Sequence, residues 1–289
     1  MSPWVLRGLR NGVVTTRWPA RPDPYADGWR GPAMVLDPHP AGPAGNAAGP
    51  AGHAAGAAGH AAGAAGRAAL ASLCPTGAIT TAADGSVRLD QGRCILCGRC
   101  VDQRPDVFGW SRGPAAAALS MEGLVVPAEP GTEQDLAAVR TALRARTAAL
   151  RRSVHLRHVD AGSDGAEEQE IAALLGSVYD INRLGIFFTA SPRHADVLLV
   201  TGAGAHGMAE PLRRTYTGMP DPKVVIAVGT DAVSGGLVGA HRGSYATAAG
   251  VGDVIPVDVW VPGSPPSPFN ILHALLAALG RLPHRAAER

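Results

Sequence analysis

From Arg152 onward, short β-branched runs alternate with helical stretches, and no other feature of the sequence restricts the fold as much. The runs are "VHLRHVD", "IFFTA", "DVLLVTG", "KVVIAVG" and "VIPVDVWVPG". Between and after them lie "AEEQEIAALLG", "MAEPLRRTYTGM" and "PFNILHALLAALGRL". Such alternation implies a parallel sheet with helices on both faces. Ligands of such sheets sit outside the carboxyl ends of the strands. Residues 153–289 are therefore expected to form one α/β domain.

Ahead of it the chain is divided by composition. "AGPAGNAAGPAGHAAGAAGHAAGAAGRAAL" (residues 41–70) is Ala/Gly-rich with an imperfect three-residue beat. It has too little apolar surface to offset its ordering entropy, so residues 41–68 are expected to form a flexible linker, turning helical near Ala64. His53 and His60 within it read as solvated spacers rather than metal ligands. Residues 1–40 form an N-terminal arm in which Trp4, Val5, Leu6 and Leu9 lie near one helical face with Arg7 and Arg10 alongside. Such a face suits a membrane surface, a partner's groove or its own domain. Residues 126–152 are expected to be a helical connector. In it Thr132 and Asp135 resemble a capping box, and Leu136, Val139, Leu143 and Leu150 fall at helical spacing.

Residues 69–125 hold all four cysteines. Cys94, Cys97 and Cys100 follow the C-x2-C-x2-C spacing of a bacterial iron–sulfur loop, but the expected cysteine before Pro105 is Arg104. In two-cluster ferredoxins the cysteine preceding proline ligates the cluster of the other motif. Cys74 of "CPTGAI" is in that position and completes a four-thiolate set for one [4Fe–4S] cluster. The second cluster would need cysteines at Ala64, Arg67, Leu70 and Arg104. "AITT" and "SVRL" flank an Asp84-Gly85 turn as a hairpin. A zinc site on the same four cysteines is the alternative.

The 289 residues carry a formal charge of +2, which gives no reason to expect nucleic acid as a partner. No apolar run is long enough to span a bilayer, and the first twenty residues lack a secretory pattern. The cysteines therefore read as metal ligands in the cytoplasm rather than as disulfides. "GAGAHG" lacks the context of a nucleotide loop.

Longer stretches carry a family resemblance. "HVDAGSDGAEEQEI", "YDINRLGIFFTASPRHADVLLVTGA", "PDPKVVIAVGTDAVSGG" and "IPVDVWVPGSPPSP" closely resemble the small subunit of membrane-bound [NiFe]-hydrogenases, which shares its fold with the 20 kDa subunit of complex I. "GRCILCGRC" and "RNGVVTTRWP…GWRGP" resemble the partner ferredoxin subunit, so the chain resembles a fusion of two neighbouring subunits. The resemblance implies α/β architecture: a parallel doubly wound, flavodoxin-like C-terminal domain preceded by a small α+β ferredoxin-like domain. It also implies partners, namely a large hydrogenase or complex I 49 kDa-type subunit and membrane subunits, on the cytoplasmic face of the membrane. In the family the C-terminal domain holds a [4Fe–4S] cluster on four cysteines; here those positions read Asp164, Glu167, Asp231 and Ser264. Hard oxygen donors suit such a cluster poorly.

If Asp164, Glu167 and Asp231 still converge within about 5 Å, each ionised pair costs roughly 3 kcal/mol. Such a group must pair with an arginine such as Arg193 or Arg242, take up a proton, open to water or bind Mg²⁺ or Ca²⁺. His158, His206 and His241 lie in the same loops and read as structural. The expected function is an electron-transfer or scaffold subunit with one cluster, not catalytic alone. The alternatives are a structural or regulatory docking module with a redox-sensing or stabilising cluster, and an oxygen-ligand metal enzyme.

Overall fold

The computed structural model describes residues 3–23, 29–38, 64–82, 84–128, 132–148, 150, 153–240 and 247–282. Of the linker expected at residues 41–68, residues 41–63 lie outside these, as do Arg242 and His241, and residues 64–68 belong to a helix.

The N-terminal half contains α1 (Pro3–Asn11), β1 (Arg30–Val35), α2 (Ala64–Ser72), β2 (Ile79–Thr81), β3 (Val87–Asp90), α3 (Arg99–Gln103), β4 (Phe108–Arg112) and β5 (Val125–Val126). β2 and β3 pair antiparallel with Thr81 opposite Val87, the expected hairpin, and β5 extends that sheet from β3. β1, from the arm segment, pairs antiparallel with β4. The two sheets share a small core of Ala33, Leu70, Ile79, Val87, Leu89 and Phe108, and Cys94 is buried among them.

The connector helix is α4 (Thr132–Thr147). The C-terminal domain continues with β6 (Val154–Asp160), α5 (Ala166–Ala173), β7 (Ile186–Phe188), β8 (Val197–Thr201), α6 (His206–Gly218), β9 (Val224–Val228), α7 (Thr230–Ser234), α8 (Gly236–Ala240), β10 (Val259–Val261) and α9 (Pro268–Ala278). Its five strands are all parallel in the order β7-β6-β8-β9-β10. This is the flavodoxin-like doubly wound order, with a topological switch between β6 and β8. Every residue of β8, β9 and β10 is buried, as a sheet covered on both faces requires. One face packs on α5, α9 and the end of α4; the other packs on α6 and α7. α9 is apolar nearly all round, and its start is fixed by Ser267, whose hydroxyl accepts from the Asn270 N–H.

The halves are joined closely. Ala118 and Trp260 exchange backbone hydrogen bonds of 2.9 and 2.8 Å, so the segment after β4 covers the β10 edge. Trp18 of the arm is buried edge-on against Phe269 of α9, with ring centroids 5.8 Å apart.

α4 corrects one expectation. Leu143 and Leu150 enter the core, but Val139 is 42% exposed, and the Leu136 side chain lies outside the described residues. Among the described residues the last turns of α4 meet α9, where the Thr147 hydroxyl donates to the Ala278 carbonyl at 3.2 Å. Leu143→Ala should therefore cost about 2–4 kcal/mol in denaturant unfolding. Val139→Ala should stay within about 0.5 kcal/mol; equal costs would contradict this packing.

Candidate cluster loop and the carboxylate pocket beside it

The loop that follows β3 is shaped by local chemistry. The Asp90 carboxylate accepts the Gly92 N–H at 2.9 Å and caps a single helical turn, Gln91–Arg93. The backbone then reverses through Leu96 (φ 56°) and Gly98 (φ 79°) into α3. A non-glycine residue held there stores strain, which often marks a functional loop. Cys94 is buried, Cys74 and Cys100 are half-buried, and Cys97 is exposed; all four thiols are free. Arg104, at the position of the absent fourth cysteine, is forked onto Asp106 at 2.8 and 2.6 Å.

The thiols act on one another. Burial raises the Cys94 pKa, Cys74 and Cys97 add like-charge repulsion, and the N–H groups of Ala33 and Leu96 oppose both. Cys100 is pushed up to about 11, first by burial and then by Cys94, with the Val101 N–H opposing. The Ala78 N–H reaches the Cys74 sulfur at 3.3 Å, and the Thr76 hydroxyl lies 3.2 Å from it. N–H groups aimed at sulfur and an all-thiol donor set are what an iron–sulfur cluster uses. The donors therefore fit that group chemically. Among the described residues, however, no three His, Cys, Asp or Glu side chains stand in a ready metal-binding arrangement.

This loop is seated on the C-terminal domain. The Thr230 hydroxyl donates to the Cys94 carbonyl at 2.9 Å, and the Ser234 hydroxyl donates to the Gly92 carbonyl at 2.8 Å. Thr230 also accepts the Gly263 N–H at 3.1 Å. Both hydroxyls are buried, so α7 acts as a clamp under the loop. Thr230→Val leaves two buried polar groups without a partner and should cost about 1–3 kcal/mol, read as a lower unfolding midpoint. No change would contradict the clamp.

α7 also carries Asp231, and here the second group of expected positions comes together. Asp164 ends the loop after β6, Glu167 lies in the first turn of α5, and Asp231 lies at the start of α7. Glu167 is 1% exposed, and its Oε2 has no hydrogen-bond partner. Its side chain lies against Gly229 (φ 96°), where a Cβ would sit 2.5 Å from Glu167 Cγ and Oε1, so only glycine fits. Burial lifts the Glu167 pKa to about 7, opposed by its own backbone N–H and reinforced by Asp231, Asp164 and Glu168. Burial also raises Asp231, with Asp164 and Glu168 adding to the effect. Among the described residues no guanidinium pairs with these three carboxylates, Arg193 included. Ser264 is exposed in the Pro262–Pro266 loop and forms no hydrogen bond with them among the described residues.

Glu168 was missed from sequence, although the Glu-Glu pair opening α5 was visible there. It bonds the Thr201 hydroxyl, which lies 2.9 Å from His158 Nε2, and His158 is 3.6 Å from Glu168. The pocket sits at the β6–β8 switch. There Gly202 passes so close to Gly162 that a Cβ would lie 2.5 Å from the Gly162 carbonyl carbon. A cavity of about 160 Å³ opens nearby, between Leu96 of the cluster loop, Arg30 and the Pro262–Ser267 segment.

Residues 165–278 match the family model described as NADH ubiquinone oxidoreductase, 20 Kd subunit. The chain is 35% identical over 164 residues to formate hydrogenlyase subunit 7 of Escherichia coli (strain K12), covering 57% of this chain and 62% of that protein. It is 43% identical over 131 residues to the probable membrane-bound hydrogenase subunit mbhJ of Pyrococcus furiosus, covering 45% of this chain and 77% of that one. Against the chloroplastic NAD(P)H-quinone oxidoreductase subunit K of Lotus japonicus it is 45% identical over 106 residues, 37% of this chain and 45% of that protein. With the β7-β6-β8-β9-β10 sheet, these matches make the chain a member of the 20 kDa subunit family of NADH:ubiquinone oxidoreductase.

Proposed function

We propose that this chain is a fused electron-carrier and docking subunit of a complex-I-like or membrane [NiFe]-hydrogenase-type assembly. In this proposal one [4Fe–4S] cluster is held by Cys74, Cys94, Cys97 and Cys100, and the C-terminal domain holds none. The supporting observation is the seating of the cysteine loop on α7 by Thr230 and Ser234. It sets the thiols beside the family's ligand position, now Asp231. A cluster on these thiols supplies one-electron transfer. The chain's own residues shield Cys94 from water and leave Cys97 at the surface, where a redox partner can approach.

The carboxylates carry no such chemistry, because oxygen donors match soft iron–sulfur clusters poorly. The sheet around them is nonetheless complete, and so is the Pro262–Pro266 loop beside the cavity. A shape kept without its ligands supports docking to a large subunit, with association to the membrane through partner subunits on its cytoplasmic face. No helix among the described residues is long and apolar enough to cross a membrane.

The test is co-purification of the full chain with the large-subunit-like product of a neighbouring gene. A stable interface buries on the order of 1,000 Å² or more. Ser264→Trp, at an exposed position of the loop, should lose the partner, whereas Arg213→Glu on the surface of α6 should keep it. A wild-type chain that stays monomeric under conditions preserving membrane complexes sinks the proposal.

A further inference from the structure

α1 is the part of the molecule with the least reason to be apolar. None of its residues is buried. Trp4 is 75% exposed and Leu9 71%, Leu6 is exposed beside them, and Val13 and Val14 continue the exposed apolar run. The segment does not hang loose throughout. The Thr15 hydroxyl donates to the Ser177 carbonyl at 2.7 Å, and the Thr16 N–H to the Val178 carbonyl at 2.8 Å. Trp18 is then locked into the core against Phe269. The arm thus leaves a fixed anchor on the C-terminal domain, next to Leu175 and Val178, which are themselves exposed.

The charge pattern identifies the occupant. Between Pro3 and Pro22 there are four arginines (Arg7, Arg10, Arg17 and Arg21) and no acidic residue. On a helical wheel Trp4, Val5, Leu6 and Leu9 span more than half the circumference, and Arg7 and Arg10 share the remainder. A groove in a protein takes a narrower stripe of anchors at i, i+3 or i+4 and i+7. A wide apolar face with a basic margin and a tryptophan suits the boundary between lipid headgroups and acyl chains. We propose that the Pro3–Val14 arm lies on the surface of an anionic lipid bilayer, with Trp4, Leu6 and Leu9 entering the boundary and Arg7 and Arg10 meeting lipid phosphates. This depends on α1 and its anchor, and not on the cluster or on a large subunit.

The experiment is sedimentation of the full chain with vesicles of phosphatidylglycerol and phosphatidylcholine, and separately with phosphatidylcholine alone. The chain should sediment with the anionic vesicles, and salt should release it. Removing both charges by Arg7→Gln with Arg10→Gln should lower partitioning about 25-fold at low salt, at roughly fivefold per basic residue near an anionic surface. Leu9→Glu should lower it about tenfold or more. Arg213→Gln, an exposed arginine on α6, should leave it unchanged. The helix buries nothing, so circular dichroism and the unfolding midpoint should match wild type in every variant. No binding to anionic vesicles, equal binding to neutral ones or indifference to Leu9→Glu would overturn the proposal. It is equally overturned if the chain ignores vesicles but loses a protein partner on Leu9→Glu.

Discussion

Glu167→Gln should stabilise this protein at pH 8 and leave it nearly unchanged at pH 4. Glu167 is buried beside three other carboxyl groups, and its pKa stands at about 7 in the folded chain against 4.5 for the ordinary side chain. Below pH 4.5 both folded and unfolded chains carry the proton, and the fold bears no penalty. Between 4.5 and about 7 the unfolded chain ionises first, so stability falls as pH rises. Above that window a charge is held in the pocket, at a cost of about 3 kcal/mol for a shift of this size. Asp231 is shifted in the same direction, so the titration belongs to the group rather than to one residue. Glutamine keeps the shape and removes the charge. The expected gain at pH 8 is roughly 5 °C or more in melting temperature, and it should vanish at pH 4. Equal shifts at both pH values would mean that charge is not the cause. Destabilisation at pH 8 would point instead to a cation held by the carboxylates.

The resemblance points to Asp164, Glu167 and Asp231 as the family's cysteine positions, but the sequence does not show how such carboxylates are neutralised. Strand–helix alternation gave the five parallel strands, because β-branched runs buried on both faces leave a clear pattern. The hairpin of β2 and β3 was equally legible from its Asp84-Gly85 turn. Val139 was misplaced because helical spacing shows which residues share a face, while only tertiary contact shows how far the face is covered. Thr230 and Ser234 were invisible as clamps: their hydroxyls meet carbonyls more than a hundred positions away, and no local pattern marks such a pair. The pairing of β1 with β4 was hidden for the same reason, since it joins segments on either side of the linker. The Ser267 cap of α9 escaped notice because its third residue is Asn270 rather than glutamate or glutamine. Glu168 was passed over because the resemblance pointed to the neighbouring position.

The second large effect concerns Cys74, which lies twenty residues before the Cys94 loop and belongs to its ligand set only if the C-x2-C-x2-C pattern borrows it. Cys74→Ser should abolish the [4Fe–4S] spectrum, because a hydroxyl replaces one of four soft ligands. The halves should still fold together, since Thr230, Ser234, Trp18 and the Ala118–Trp260 bridge do not depend on that sulfur. The most direct test of the whole account is anaerobic iron and acid-labile sulfide analysis of the wild-type chain beside Cys74→Ser. The wild type should contain about four iron and four sulfide per chain, and the variant should contain neither in that amount. Zinc in place of iron, about eight irons per chain, or an iron content unchanged by Cys74→Ser would contradict it.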